Sequence, residues 1–274
     1  MPSLSTPSIV ASIDSPGAGV VFEKFTFLMT GNIRKESNYR ISSILYAVEE
    51  LIKEKNNIQL NIAGFIEDKK YFFSKIRSLK LEDNVVFLKK YTQKEAPKIY
   101  KQADAYITMS YQDNCPTAVL EAMACGLPIL YSSSGGVPEL VGKEAGLGIK
   151  VQKSWQKTYV PSKFAITNGM KEIIGNKKNM SLASRERAVE YFDIKKWALD
   201  HGIPEDKFID LGFINNHAML EHLREIDLGI FPNRCEGGTN LVAMEAMASG
   251  IPCIIAKNTG QIDLTNENHC FVLH

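Results

Sequence analysis

Two segments of this chain arrange acidic residues around a short apolar run in nearly the same way. Residues 113–130 read DNCPTAVLEAMACGLPIL and residues 236–255 read EGGTNLVAMEAMASGIPCII. Each passes from an acid through turn-forming residues into an apolar stretch, Glu-Ala-Met-Ala, a glycine, a proline and a second apolar stretch. A helix opening at Pro116-Thr117 leaves its first N–H groups unpaired and points the positive end of its dipole outward, which suits phosphate. Pro116 fits the first helical position, with Asn114 or Cys115 near the cap. Asp113 lies just before that helix, and Glu121 lies just over one turn inside it. Carboxylates repel phosphate, so beside an anion site they are better suited to hydroxyls, such as those of a sugar ring and a ribose. The combination describes a nucleotide diphospho-sugar.

Strand and helix patterns alternate around these segments. Strand-like runs fall at 25–30, 58–63, 85–88, 105–109, 129–131 and 146–151, and helical spacing at 41–55, 71–79, 95–103 and 117–124. Short buried strands alternating with helices imply βαβ units and a parallel sheet covered on both faces, a Rossmann-like doubly wound α/β fold. Ligands of such sheets sit beyond the carboxyl ends of the strands, where the loop SYQDNCP lies. Residues 152–168 read as a loop and 181–200 as one long helix. The pattern then restarts, with strands expected at 207–211, 228–231, 253–256 and 270–273 and helices at 218–224 and 241–248. Counterparts of the strands at 25–30 and 58–63 are lacking. The division this suggests is a lead-in at 1–21, one complete domain at 22–200 and a partial repeat of it at 201–274.

The stretch ADAYITMSYQDNCPTAVLEAMACGLPILYSSSGGVPELV resembles the donor-binding domain of GT-B glycosyltransferases, most closely family 4. The family pattern is an acid, seven residues, Glu, then Ala-Met-Ala and Gly-x-Pro. Asp113 takes the first position, as Asp where Glu is usual, and Glu121 the second. The resemblance implies a retaining, metal-independent transferase with no cofactor beyond its nucleotide-sugar substrate. It implies that Asp113 faces the donor sugar and Glu121 the ribose. It also implies donor contacts from Asn114, Pro116, Thr117 and the Gly135-Gly136 turn. The family's diphosphate-binding Gly-Arg turn is Gly31-Asn32-Ile33-Arg34-Lys35 here, so Arg34 and Lys35, shifted in register, stand in for the missing cation. For Gly135 and Gly136, close approach to a ligand and plain turn geometry are both open.

By motif, Glu236, Gly237, Gly238, Thr239 and Glu245 are the second-copy equivalents, with the two acids one residue further apart. A structural remnant and a second binding site are the two readings of this copy. GT-B enzymes also need an N-terminal acceptor-binding domain, which has no counterpart in these residues. A fragment, a fused remnant, a separate acceptor-domain subunit, or donor binding without turnover would each account for that. The acceptor, a glycan or a lipid-linked sugar, is set by parts the chain lacks.

Composition narrows the class. The chain has 274 residues, 45% hydrophobic and 23% charged, an ordinary globular balance. Residues 1–200 carry a net charge of +7 and residues 201–274 one of −6. The basic surplus is too diffuse for nucleic acid. Five cysteines without CxxC spacing suit reduced thiols in the cytoplasm. Cys115 and Cys235, near helix starts, are expected to have lowered thiol pKa values. The histidines lack ligand spacing, so no metal site is expected. The Lys69–Lys75 stretch, with three adjacent aromatics, reads either as a peripheral contact with the inner face of the membrane or as a helix with one buried aromatic face.

Overall fold

The computed structural model describes residues 24–34, 40–152, 154, 156–209, 211–212, 214–233, 240–265 and 269–273. The elements of the first unit are β1 (Phe25–Ile33), α1 (Ile41–Lys53), β2 (Ile58–Ile66), α2 (Lys69–Ser78), β3 (Val85–Phe87), α3 (Ala96–Tyr100), β4 (Ala105–Thr108), α4 (Thr117–Ala124), β5 (Ile129–Ser133), α5 (Val137–Val141), β6 (Gly146–Lys150) and α6 (Lys163–Tyr191). Six strands form one sheet in the order β3-β2-β1-β4-β5-β6, and every pairing is parallel. This is the doubly wound order, whose direction of winding reverses between β1 and β4.

Alternation along the central strands builds two cores. Phe27, Met29, Ala105, Ile107 and Leu130 point to one face, where Ile44, Leu45, Val48 and Leu51 of α1 and Ile166, Met170 and Ile173 of α6 cover them. Leu28, Tyr106, Ile129 and Tyr131 point to the other, beneath Val119, Ala122 and Met123 of α4 and Val137 and Val141 of α5. The α1 residues recur at helical spacing, so one stripe is buried. Truncating one of them, such as Leu45, costs about 2–5 kcal/mol.

The segment expected to be a loop at 152–168 is already helical from Lys163. Ser162 caps α6, accepting from the Ala165 amide at 3.2 Å. Its seat explains its length. A Cβ at Gly169 would lie 2.7 Å from Leu130 Cδ1, so a larger residue there must shift that side chain. Further along, Ser181 Oγ donates to the Gly126 carbonyl at 2.6 Å and Ser184 Oγ to that of Leu127 at 2.7 Å. The α6 helix thereby holds the turn that ends α4. The single helix expected over 181–200 is broken at Phe192-Asp193. Asp193 then caps α7 (Ile194–Asp200), accepting from the Lys195 and Lys196 amides.

The second unit contains α8 (Asn216–Leu223), β7 (Gly229–Phe231), α9 (Leu241–Ala248), β8 (Cys253–Ala256) and β9 (Phe271–Leu273). Its parallel sheet, β7-β8-β9, repeats the β4-β5-β6 half of the first. Both copies end the motif helix with glycine at φ 78°, and the next amide bonds back five residues, Leu127 to Ala122 and Ile251 to Ala246. The strand expected at 207–211 does not form among the described residues. A 3₁₀ turn occupies Glu205–Lys207, and Ile209 is 78% exposed. Its first-copy equivalent, β3, is held by pairing with β2. Among the described residues the second copy has no such neighbour, and a lone strand leaves its backbone unpaired. Of the expected lead-in, residues 1–21 lie outside the described residues.

Candidate functional site

The β4–α4 loop leaves the sheet at the reversal point between β1 and β4. Thr117 is the first residue of α4 and Pro116 is its N-cap, at φ −70° and ψ 108°. Pro116 is therefore one position earlier than the sequence suggested, because its extended ψ cannot continue a helix. No side chain caps this end; the Val119 amide bonds back to the Pro116 carbonyl at 2.9 Å, which leaves the first two N–H groups of α4 for an outside acceptor, and Asn114 and Thr117 are exposed beside them. Asp113 is half-buried and accepts a backbone hydrogen bond from Cys115. Burial raises its carboxyl pKa, and the Cys115 amide partly offsets the rise. The expectation of a lowered Cys115 thiol is overturned: burial and then the Asp113 carboxylate push it up. Cys235 lies outside the described residues.

The loop is braced from the next loop along. Gln112, in the left-handed region at φ 55°, donates its amide to Ser134 Oγ at 3.1 Å, and Ser134 Oγ reaches the Ser110 carbonyl at 3.4 Å. The Gly136 amide donates to the Asp113 carbonyl at 2.9 Å. A Cβ on Gly135 would lie 2.3 Å from the Asp113 carbonyl oxygen, and one on Gly136 would lie 1.8 Å from that of Asn114. Loop–loop contact is thus what these two glycines permit, and Gly135 also needs its φ of 63°.

Glu121 is half-buried on α4, and its Oε2 accepts from Tyr100 Oη at 2.8 Å. Arg34 follows β1, and its Nε pairs with Glu67 Oε2 at 3.1 Å, both exposed. Lys35 lies outside the described residues. Sequence reasoning missed Arg40. It sits at the start of α1 with φ 51°, its guanidinium 4.9 Å from the centre of the Tyr111 ring. Arg40 Nη1 donates to the Tyr159 carbonyl, and Nη2 is buried without a partner among the described residues. Burial lowers the Arg40 pKa, against the raising effect of Tyr111. Tyr111 opens the loop that carries Asp113, so Arg40 brings a cation to that loop. A signal was present: a basic residue just before the first helix, at the reversal point of the winding.

Beyond the carboxyl ends of β2 and β3 lies a cavity of about 380 Å³, lined by Phe65, Phe73 and Phe87 with Lys69, Lys89 and Lys90. The α2 helix buries Phe72 and Ile76, while Phe73 packs edge-on against Phe87 at 5.2 Å. Of the three aromatics in Lys69–Lys75, Phe72 is therefore the buried one, while Phe73 stays 56% exposed. Among the described residues, no helix is long and apolar enough to cross a membrane, and no cluster of three His, Cys, Asp or Glu is placed to hold a metal ion.

In the second copy, Asn240 caps α9, accepting from the Ala243 amide at 3.1 Å and donating to Gln261 at 3.0 Å. Glu245 is exposed. Glu236, Gly237, Gly238 and Thr239 lie outside the described residues.

A sequence profile of the glycosyl transferases of group 1 matches residues 17–186, more than half of the chain. This chain belongs to that family. A second group 1 profile matches residues 168–273, which covers the repeat. Among curated relatives, an uncharacterised glycosyltransferase, MJ1607, of Methanocaldococcus jannaschii is 29% identical over 46% of this chain. The N-acetyl-alpha-D-glucosaminyl L-malate synthase of Bacillus anthracis is 27% identical over 40%. The chain spans only 32% and 28% of these proteins. The pneumococcal O-GlcNAc transferase GtfA, solved with UDP and GlcNAc, shares the fold at TM-score 0.54 and 18% identity, over 65% of this chain and 34% of its own. The C-terminal domain of the group 1 protein LpcC from Francisella tularensis matches at TM-score 0.52 and 17% identity, over 62% of this chain and 87% of that domain. These likenesses establish the GT-B, Rossmann-like fold of this group 1 chain.

Proposed function

We propose that the first unit binds the nucleotide diphospho-sugar of a retaining hexosyl transfer to a glycan or lipid-linked acceptor. The observation that carries this reading is the start of α4 without a side-chain cap, at the reversal point of the sheet, with Asp113 three residues before its N-cap and Glu121 the fifth residue of the helix. The diphosphate meets the α4 N–H groups, with Arg40, Arg34 and Lys35 as the surrounding cations. A cation there offsets the charge that builds on the leaving diphosphate. Asp113 orients the sugar and Glu121 the ribose. The aromatic cavity beyond β2 and β3 suits a flat base, with Phe65 and Phe87 for stacking. UDP in the GtfA structure supports a uridine donor. The reading needs neither metal nor cofactor, and it places the protein in the cytoplasm with at most peripheral membrane contact.

A second reading is donor binding without turnover. Incubating the purified chain with UDP-glucose, UDP-N-acetylglucosamine and GDP-mannose separates the two. Release of nucleoside diphosphate supports a transferase centre. Saturable binding with no release supports the second reading. No binding of any donor contradicts both.

A further inference from the structure

Glu121 is held from beneath by a side chain that no motif selects. Tyr100, the last residue of α3, has no exposed surface, and its Oη lies 2.8 Å from Glu121 Oε2. The same Oη lies 3.3 Å from Thr30 Oγ1, which lies 3.0 Å from Tyr106 Oη. Valence fixes the direction of this chain. A carboxylate only accepts, so Tyr100 donates to it. With its one proton committed, Tyr100 accepts from Thr30, and Thr30 accepts from Tyr106. Three buried hydroxyls therefore direct their protons toward one oxygen of Glu121, each polarising the next.

The second copy lacks this arrangement. Tyr100 stands four residues before Asp104, which leads into β4, and Leu223 stands four residues before Asp227, which leads into β7. Leu223 is a buried hydrocarbon with nothing to donate, and Glu245 is exposed. The copy with the phenol holds its motif glutamate half-buried, and the copy without it leaves that residue to solvent.

We infer that Tyr100 is a positioning residue: it fixes Oε2 of Glu121 and thereby aims Oε1 at the ribose hydroxyls of the donor. This rests on the donor-binding reading of Glu121. A Glu side chain pinned at one oxygen loses less conformational freedom on binding. Thr30 lies within β1, so the relay also ties that strand to α4.

Calorimetry on the full chain with UDP and with 2′,3′-dideoxy-UDP tests this. Wild type favours UDP. Tyr100→Phe lowers UDP affinity about five- to tenfold, the cost of ordering a freed Glu side chain on binding, and leaves the dideoxy ligand unchanged. Thr30→Val gives a smaller loss, about two- to threefold, again for UDP only. If Tyr100→Phe fails to fold, Thr30→Val carries the comparison. A loss shared equally by both ligands, or none for either, overturns the inference, because a core residue affects the two alike. Wild type binding UDP with no preference for the ribose form overturns it while the donor site stands. Wild type binding neither UDP nor GDP removes the donor-binding reading and this inference with it.

Discussion

The Gly136 amide donates to the Asp113 carbonyl at 2.9 Å, and its α-carbon faces the Asn114 carbonyl so closely that a Cβ would lie 1.8 Å from it. The acid nearest the helix start is therefore positioned by the neighbouring loop and not by its own turn alone. Gly136→Ala must push that loop away. It is expected to lower both stability and donor affinity, with a stability loss of about 1–3 kcal/mol. Gly175, inside α6 with nothing within 4 Å of a Cβ, is the control. Gly175→Ala gains about 0.5–1 kcal/mol from helix propensity alone. Thermal melts of the two variants check the pair.

Asp113 gives a pH signature. Burial raises its pKa, so between the ordinary Asp value and the raised one the folded state holds more protons than the unfolded state. Stability then falls as pH rises through that window, and the charged Asp113 is a standing cost above it. Asp113→Asn is expected to raise the melting temperature at neutral pH and to abolish sugar transfer or donor hydrolysis. It should also flatten the melting temperature's dependence on acid pH. Melts over a pH series, with and without the substitution, check this.

Much of this was legible in the sequence, for physical reasons that differ by residue. The motif helix and its glycine stop are local signals, and 117–124 matches α4 at both ends. The six parallel strands follow from short apolar runs that must be buried on both faces. Tyr100 lies 21 residues from Glu121, and no periodicity links them. Arg40 is joined to the loop by a ring contact across 71 residues. The start of α6 at Lys163 was hidden because it rests on the burial of Ile166, Met170 and Ile173 against the sheet, which the local pattern does not show. The missing strand at 207–211 shows the converse: its local pattern was adequate, and the absent neighbour decided.

Arg40 is expected to act on the diphosphate. Arg40→Gln keeps most of the side chain's length and removes the charge. It should weaken UDP binding by about tenfold or more, as for loss of a charge-assisted hydrogen bond, and weaken UMP binding less. Competition titrations with the two nucleotides check it. An equal loss for both would place Arg40 away from the β-phosphate.

The most direct test of the central claim is titration of the full chain with UDP- and GDP-sugars, beside Glu121→Ala. If Glu121 holds the ribose as proposed, removing the carboxylate costs about 100-fold or more in affinity. The Tyr100 hydroxyl loses its acceptor, costing about 1–3 kcal/mol of stability, and circular dichroism checks that the variant stays folded. A folded Glu121→Ala chain that binds the donor as tightly as wild type would contradict the account.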